Sequence, residues 1–504
     1  MKKVIISVLL TAATLLSLAS CNAGNGDFYR GNEFENYADM NAPIKGGDGI
    51  AAEDYGKFIE NEFVFTAEEN VSTFSADVDT ASYAYFRKLV NTGYSLRELI
   101  ATAGSSIRTE EMINYFDYGY GDPAEGELFS TNMQIAPCPW NEDAALMVLG
   151  LQAKHIETAE KNNLVFLIDV SGSMDSPDKL GLLKKAFSHL VSKLSDDDKV
   201  SIVTYAGAEK VVLEGCSGAK KDMIMKAVND LGAGGSTNGE AGLVRAYQIA
   251  EQNYIAGGNN RIIMASDGDL NVGISSESEL KKLVEQKRDS GVFLSVLGFG
   301  TGNYKDEKME TIADCGNGVY YYIDSETEAE KVFGDDIFST LYTVAKDVKL
   351  QLTFNKDAVS AYRLVGYENR LLNEDDFRDD TKDAGDLGAG HSVTVCYELI
   401  LNEAAKESES AWAELGLRYK APDGIKSEER NYSFGKESYT DTPSDNFRFI
   451  CAVAEASMVI HESEYAKDIT LGDIKAELDS LSLEADGYKA QFAVLIERLI
   501  SNTQ

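Results

Sequence analysis

The chain has 504 residues, enough for about three folded units and more than one buried core. Lys and Arg number 47 against 83 Asp and Glu, a formal charge of -36, while 44% of residues are hydrophobic and 10% aromatic. The apolar share excludes an acidic disordered chain, and the charge argues against a phosphate-backbone partner, which needs a concentrated Lys/Arg footprint, so no nucleic acid is expected.

Lys2 and Lys3 precede an uncharged apolar run, Val4 to Leu18, which is short for a membrane span and reads as a secretory signal over residues 1–20. The run closes on Leu18-Ala19-Ser20-Cys21, which resembles the bacterial lipobox. That resemblance implies cleavage before Cys21 and lipidation of its thiol; the alternative is an ordinary signal with an incidental cysteine. No other segment approaches 18 uninterrupted apolar residues, so lipid alone would hold the mature chain at a membrane. Asn22 and Ala23 follow the cysteine in place of the Asp that retains many enteric-type lipoproteins at the inner membrane, which favours the outer membrane of a bacterial envelope. Residues 21–60 are rich in Asn, Gly, Asp and Glu and lack periodicity, as expected of a flexible tether.

Residues 61–127 read as an N-terminal α/β module: "VSTFSADVDTASYAYFRKLV" predicts a strand running into a helix, and "IRTEEMINYF" a helix opening on Thr109. In 128–159 the period is 2, with Met147, Leu149, Leu151 and Ala153 alternating with more polar neighbours. From 160 to 344 strands and helices alternate. "NLVFLIDV" is followed by Leu183, Ala186, Phe187, Leu190, Val191 and Leu194 at helical spacing, then by strands at "KVSIVTYA", "RIIMAS", "VFLSVLGFG" and "GVYYYI". Near-continuous apolar strands between helices predict an α/β domain with a doubly wound parallel sheet, covered on both faces. The period of 2 returns in 345–440 at Val348, Leu350, Leu352 and Phe354, at Val393, Val395, Tyr397 and Leu399, and at Ala413, Leu415, Leu417 and Tyr419. Half-buried strands on both flanks predict an α/β domain inserted in an antiparallel β-sandwich. Residues 441–504 are helical, with Phe447, Ile450, Cys451, Ala454 and Met458 on one face and Tyr488, Phe492, Leu495 and Leu499 on another.

The five cysteines after Cys21 show no C-x-x-C spacing, and Cys396 and Cys451 lie in apolar patterns where a small buried thiol is expected in preference to a bridge. His155, His189, His391 and His461 never fall at ligand spacing. The chemistry lies elsewhere. Asp169, Ser171 and Ser173 form a D-x-S-x-S at the carboxyl end of the first α/β strand, the edge where such sheets bind ligands. Thr237, in the Gly-rich "GAGGSTNGE", and Asp267, in "MASDGD" after another apolar strand, offer oxygens at comparable turns. A bland reading makes these caps and turn residues. Their joint order instead resembles the metal-ion-dependent adhesion site of von Willebrand factor type A domains. The resemblance implies Mg²⁺ (or Mn²⁺ or Ca²⁺) touched directly by Ser171, Ser173 and Thr237, with Asp169 and Asp267 acting through water. It also implies an open position for an acidic side chain of a protein partner.

Beyond that domain, "VDTASYAYFRKLV", "DVSGSMDSPDKLGLLKKAF", "YRLVGYENR" and "KDAGDLGAGHSVTVCYEL" resemble the bacterial YfbK-like lipoproteins over roughly residues 60 to 500. Asp175 and Asp178 read as a helix N-cap region, the acidic run Glu374 to Asp386 as a solvated turn, and "SADVDTAS" as structural. No G-x-S-x-G, H-E-x-x-H or Walker motif occurs. The expected function is metal-dependent protein binding by a non-enzymatic envelope lipoprotein. Metal-assisted hydrolysis and a structural or chaperone-like role with a dispensable metal site are the alternatives.

Overall fold

The computed structural model describes residues 59–503 apart from 157–160, 236–238, 269–276, 301–305, 404, 406–409, 423 and 425. The signal segment 1–20, Cys21, the tether up to residue 58 and Thr237 therefore lie outside the described residues.

Before the α/β stretch come β1 Val64–Phe65, β2 Val71–Ser75, β3 Phe129–Pro137 and β4 Ala145–Ala153. Within it lie β5 Asn162–Asp169, β6 Lys199–Tyr205, β7 Glu209–Ser217, β8 Asn259–Ser266, β9 Phe293–Phe299 and β10 Tyr320–Ile323. After it follow β11 Thr343–Phe354, β12 Val359–Val365, β13 Leu371–Leu372, β14 Gly385–Gly388, β15 Ser392–Leu401, β16 Ala413–Lys420 and β17 Ser427–Phe434. Two antiparallel sheets, β1-β12-β15-β4-β3 and β13-β2-β11-β16-β17 with β14 beside β11, share one apolar core. Met147, Leu149, Leu151, Val393, Val395 and Tyr397 of the first meet Phe74, Leu350, Leu352, Leu415 and Leu417 of the second. Strands from before and after the α/β stretch pair directly, Leu149 opposite Val395 and Phe74 opposite Leu350, so the α/β unit is inserted in the sandwich. Each fully buried Leu or Phe contributes roughly 1.5–3 kcal/mol. Exposed ion pairs such as Lys185–Glu326 are screened by water and contribute little, so apolar register holds this frame.

Two expectations need correction. All of β4 is buried, not half of it: its odd-numbered residues fill the sandwich, while Leu146 and Val148 enter a second core lined by the helix Asp445–Ile460. Cys396, opposite Val148, and Cys451 are free thiols in that second core. Residues 61–127 are also not a separate module. β1 and β2 join the two sandwich sheets, and the helices Ala81–Asn91, Leu96–Ala103 and Thr109–Asn114 pack on the C-terminal helices Asp445–Ile460 and Gly487–Thr503. Strands of two and five residues cannot bury a sheet by themselves, so they complete one built elsewhere in the chain.

The inserted sheet runs β10-β9-β8-β5-β6-β7 and is parallel except at β7. Along β5, Leu164, Phe166 and Ile168 face the helix Leu182–Lys193, with Phe166 stacked on Phe187 at 4.3 Å. Val165 and Leu167 face the helix Gly239–Gln252 through Leu243, Ala246 and Tyr247. Cover on both faces is why these strands read as continuous apolar runs. β7 is absent from the strands read in the sequence: it returns antiparallel to β6 at the sheet edge, which its charged Glu209, Lys210 and Glu214 suit.

Buried charge fastens the inserted unit to its surroundings. Arg87, from the helix Ala81–Asn91, donates to Asp324 (2.9 Å), Glu328 (2.6 Å) and the Tyr115 hydroxyl (2.8 Å). Arg370 gathers Asp77 (3.1 Å), Asp79 (3.3 Å), Glu310 (2.7 Å) and Asp314 (2.9 Å), so the acids of "SADVDTAS" serve a structural pairing. The two chain crossings into the unit meet a single turn: the Ala389 amide donates to the Tyr342 carbonyl (2.8 Å) and the Gly390 amide to that of Lys154 (3.1 Å). No helix among the described residues is long and apolar enough to cross a membrane.

Candidate metal centre

The inserted sheet changes direction at β5: β6 lies on one side of it and β8 on the other, leaving a crevice beyond their carboxyl ends. Asp169 is the last residue of β5, and Asp267 follows directly on β8. The Asp169 carboxylate accepts the Ser171 amide at 2.8 Å, which curls the loop so that the Ser171 and Ser173 hydroxyls stand 2.9 Å apart. Met174, fully buried, pins the far side of the turn. Asp169, Ser171 and Asp267 are buried, whereas Ser173 is exposed at the mouth.

The loop leading to Thr237 is sewn to the same place. The Gly234 amide donates to the Val170 carbonyl at 2.8 Å, and the Gly172 amide to the Gly235 carbonyl at 3.1 Å. Gly235 has φ +94°, a left-handed conformation that favours glycine and turns the loop here. The structure thus brings together Asp169, Ser171, Ser173 and Asp267; Thr237, two residues beyond Gly235, lies outside the described residues.

Two residues that the sequence reading missed also belong to the site. The Ser266 hydroxyl makes a long 3.5 Å contact to Asp169 and accepts the Gly268 amide at 3.3 Å, joining the two acidic loops. The Lys179 ammonium donates to the Asp267 carboxylate at 2.9 Å and to the Ser173 carbonyl at 3.0 Å. Ser266 looks like one more strand residue, and a lysine at the start of an amphipathic helix looks like a solvated charge. Nothing in sequence spacing links Lys179 to an acid 88 positions away.

Burial pushes the Asp169 carboxyl up to about 6; hydrogen bonds from Ser171 oppose the rise and the charge of Asp267 adds to it. Two carboxylates held out of water at one crevice, beside two hydroxyls, form an all-oxygen set that suits a small hard cation. The ammonium beside Asp267 shows that this pocket draws positive charge. Among the described residues, this crevice included, no group of three or more His, Cys, Asp or Glu side chains is placed to hold a metal, so the oxygen set here depends on the Ser171 and Ser173 hydroxyls as well as the two acids. Asp178 accepts the Ser176 hydroxyl at 2.6 Å and pairs with Lys88 at 3.4 Å. In the acidic run, Asp379 accepts from Thr381 and Asp380 from Arg418 and Ser427.

Comparison with known proteins places these features in context. The family model for von Willebrand factor type A domains matches residues 163–335, the model described as YfbK, C-terminal, matches 339–501, and one described as von Willebrand factor matches 50–148. The uncharacterized protein YfbK of Escherichia coli is 40% identical over 471 residues, 88% of this chain and 80% of that protein. The human inter-alpha-trypsin inhibitor heavy chain H3 is 26% identical over 270 residues, 48% of this chain and 29% of that one. Among solved structures, a von Willebrand factor type A protein from Catenulispora acidiphila aligns with a TM-score of 0.42 at 18% identity, covering 75% of this chain and 91% of that one.

Proposed function

The chain belongs to the YfbK family of von Willebrand factor type A domain proteins, and from that premise we propose that it binds a protein partner through a divalent cation. In this reading the ion is Mg²⁺, with Mn²⁺ or Ca²⁺ as substitutes, and Asp169, Ser171, Ser173, Thr237 and Asp267 hold it. Ser171, Ser173 and Thr237 are direct and largely neutral ligands, while Asp169 and Asp267 act through water and offset part of the charge. Because hydroxyls donate little charge, an ion held by these residues would supply an electrophilic open position suited to an acidic side chain of the partner. The chain's overall negative charge does not prevent this contact, since exposed charges are screened beyond about 8 Å at physiological salt.

The observation that carries the reading is the convergence of Asp169, Ser171, Ser173 and Asp267 on one crevice at the direction change of the sheet. The role proposed is binding without turnover. The protein is further proposed to be an envelope lipoprotein anchored through Cys21, with the outer membrane favoured, a reading that rests on the Leu18–Cys21 segment.

Calorimetric titration with Mg²⁺ tests the site: the wild type binds, and Asp169→Ala loses binding while its circular dichroism is unchanged. Cross-linking in envelopes tests the interaction and names the partner. Capture is expected with Mg²⁺ and is lost with chelator or in Asp169→Ala; capture that survives chelation refutes metal-dependent binding.

A further inference from the structure

Lys179 lies on one turn of π-helix, Pro177–Gly181, that leads into the helix Leu182–Lys193. Its side chain is only 16% exposed, and its ammonium contacts the Asp267 carboxylate, itself 2% exposed, and the Ser173 carbonyl. Those partners belong to the two loops that supply the buried acids of the crevice. The fold reserves room for the lysine stem: Gly300, just past β9, has φ +82°, and a Cβ there would collide with Lys179 Cγ, Cδ and Cε. A lysine serving only solubility would extend into water, not thread past a glycine into a crevice with a buried carboxylate.

We propose that Lys179 is a resident counter-cation, which neutralises Asp267 while the crevice lacks a divalent ion and is displaced when one binds. This rests on the metal-site reading above and adds its regulation. One charge cannot satisfy both acids, so the crevice retains a pull on divalent cations. The ammonium opposes an ion that must approach the same carboxylate, and so sets the concentration at which the site loads. The same contact ties the two ion-free loops together, because one ammonium bridges the Asp267 carboxylate and the Ser173 carbonyl.

The test is calorimetric titration of the full chain with Mg²⁺ and, separately, Mn²⁺, comparing wild type, Lys179→Met, Lys179→Arg and Asp169→Ala. Met keeps the stem and removes the charge; Lys179→Gln is the second neutral variant should Met fail to fold. The expected result is a Kd lowered about tenfold in Lys179→Met and near the wild-type value in Lys179→Arg. In chelator the neutral variant melts below wild type, and its melting point rises further than that of wild type when Mg²⁺ is added. A neutral variant that binds Mg²⁺ no more tightly than wild type, while Asp169→Ala abolishes binding, overturns the counter-cation role and leaves the metal site standing. Absence of Mg²⁺ and Mn²⁺ binding in both wild type and the neutral variants overturns the metal site and the inference together.

Discussion

Arg87→Met removes the charge that joins the helix Ala81–Asn91 to the inserted unit. The side chains involved are 2% exposed at Arg87 and Asp324 and 1% at Glu328, so the substitution strands two carboxylates with almost no access to water. Breaking a buried pair by removing one partner costs about 3–5 kcal/mol, against about 0–1 kcal/mol for a pair at the surface. Unfolding entropy near 2.1 cal/mol/K per residue, over roughly 440 residues, converts that loss to a melting point lower by roughly 3–5 °C. Thermal melting by circular dichroism in chelator measures it, with urea unfolding as the second probe. Burial already holds the Glu328 carboxyl above its usual range, and Arg87 is the strongest influence opposing the rise. Without Arg87 the acid moves higher still, so the loss is larger at pH 8 than at pH 5, where protonation relieves the uncompensated charge. Adding Asp324→Asn and Glu328→Gln to Arg87→Met removes the stranded charges and recovers most of the stability. A loss below about 1 kcal/mol, or one indifferent to pH, would refute the argument that this cluster is a desolvated fastening.

Two further outcomes are expected. Burial pushes Asp386 and Glu110 each up to about 8, with Asp347 and Glu368 respectively adding to the rise. A folded pKa above the unfolded one means that stability is fully present below the unfolded value, near 4, and is lost as pH climbs through about 8. The two acids should therefore lower the melting point in chelator between about pH 7 and 8 and add nothing further above about pH 9; in that range His391 and His461, pushed down to about 4 by burial, are largely neutral in both states and do not offset the trend. Metabolic labelling with radioactive palmitate tests the anchor: label is expected on the wild-type chain and lost in Cys21→Ser, and labelling that persists in the variant contradicts lipidation at that thiol.

Much of the frame is legible in the sequence because burial imposes period. β5 reads as a continuous apolar run because helices cover both its faces, and β11, β15 and β16 alternate because one face of each meets the sandwich core. Asp169 and Asp267 stand out because each ends an apolar strand, and adjacent parallel strands bring their carboxyl ends together. The parts missed depend on partners distant in sequence. β1 and β2 are too short to signal which sheet they join until β12 and β11 are in place. β7 is an edge strand whose charges read as loop, and Leu146 and Val148 gain their second core only from the helix Asp445–Ile460, some 300 residues on. Lys179 was hidden for the same reason: its meaning comes from Asp267, and its first-turn position only suggests solvent.

The clasp at Ala389 and Gly390 bears on how force travels through the molecule. Both covalent crossings into the inserted unit are gripped by neighbouring amides of one turn, and the Arg87 and Arg370 clusters add further fixed points. A unit held this way cannot swivel as a bead on a string does. Tension applied at the Asp169 crevice runs down β5 and out through the β4 and β11 junctions together, so the sandwich shares the load and the crevice keeps a constant bearing relative to the rest of the chain.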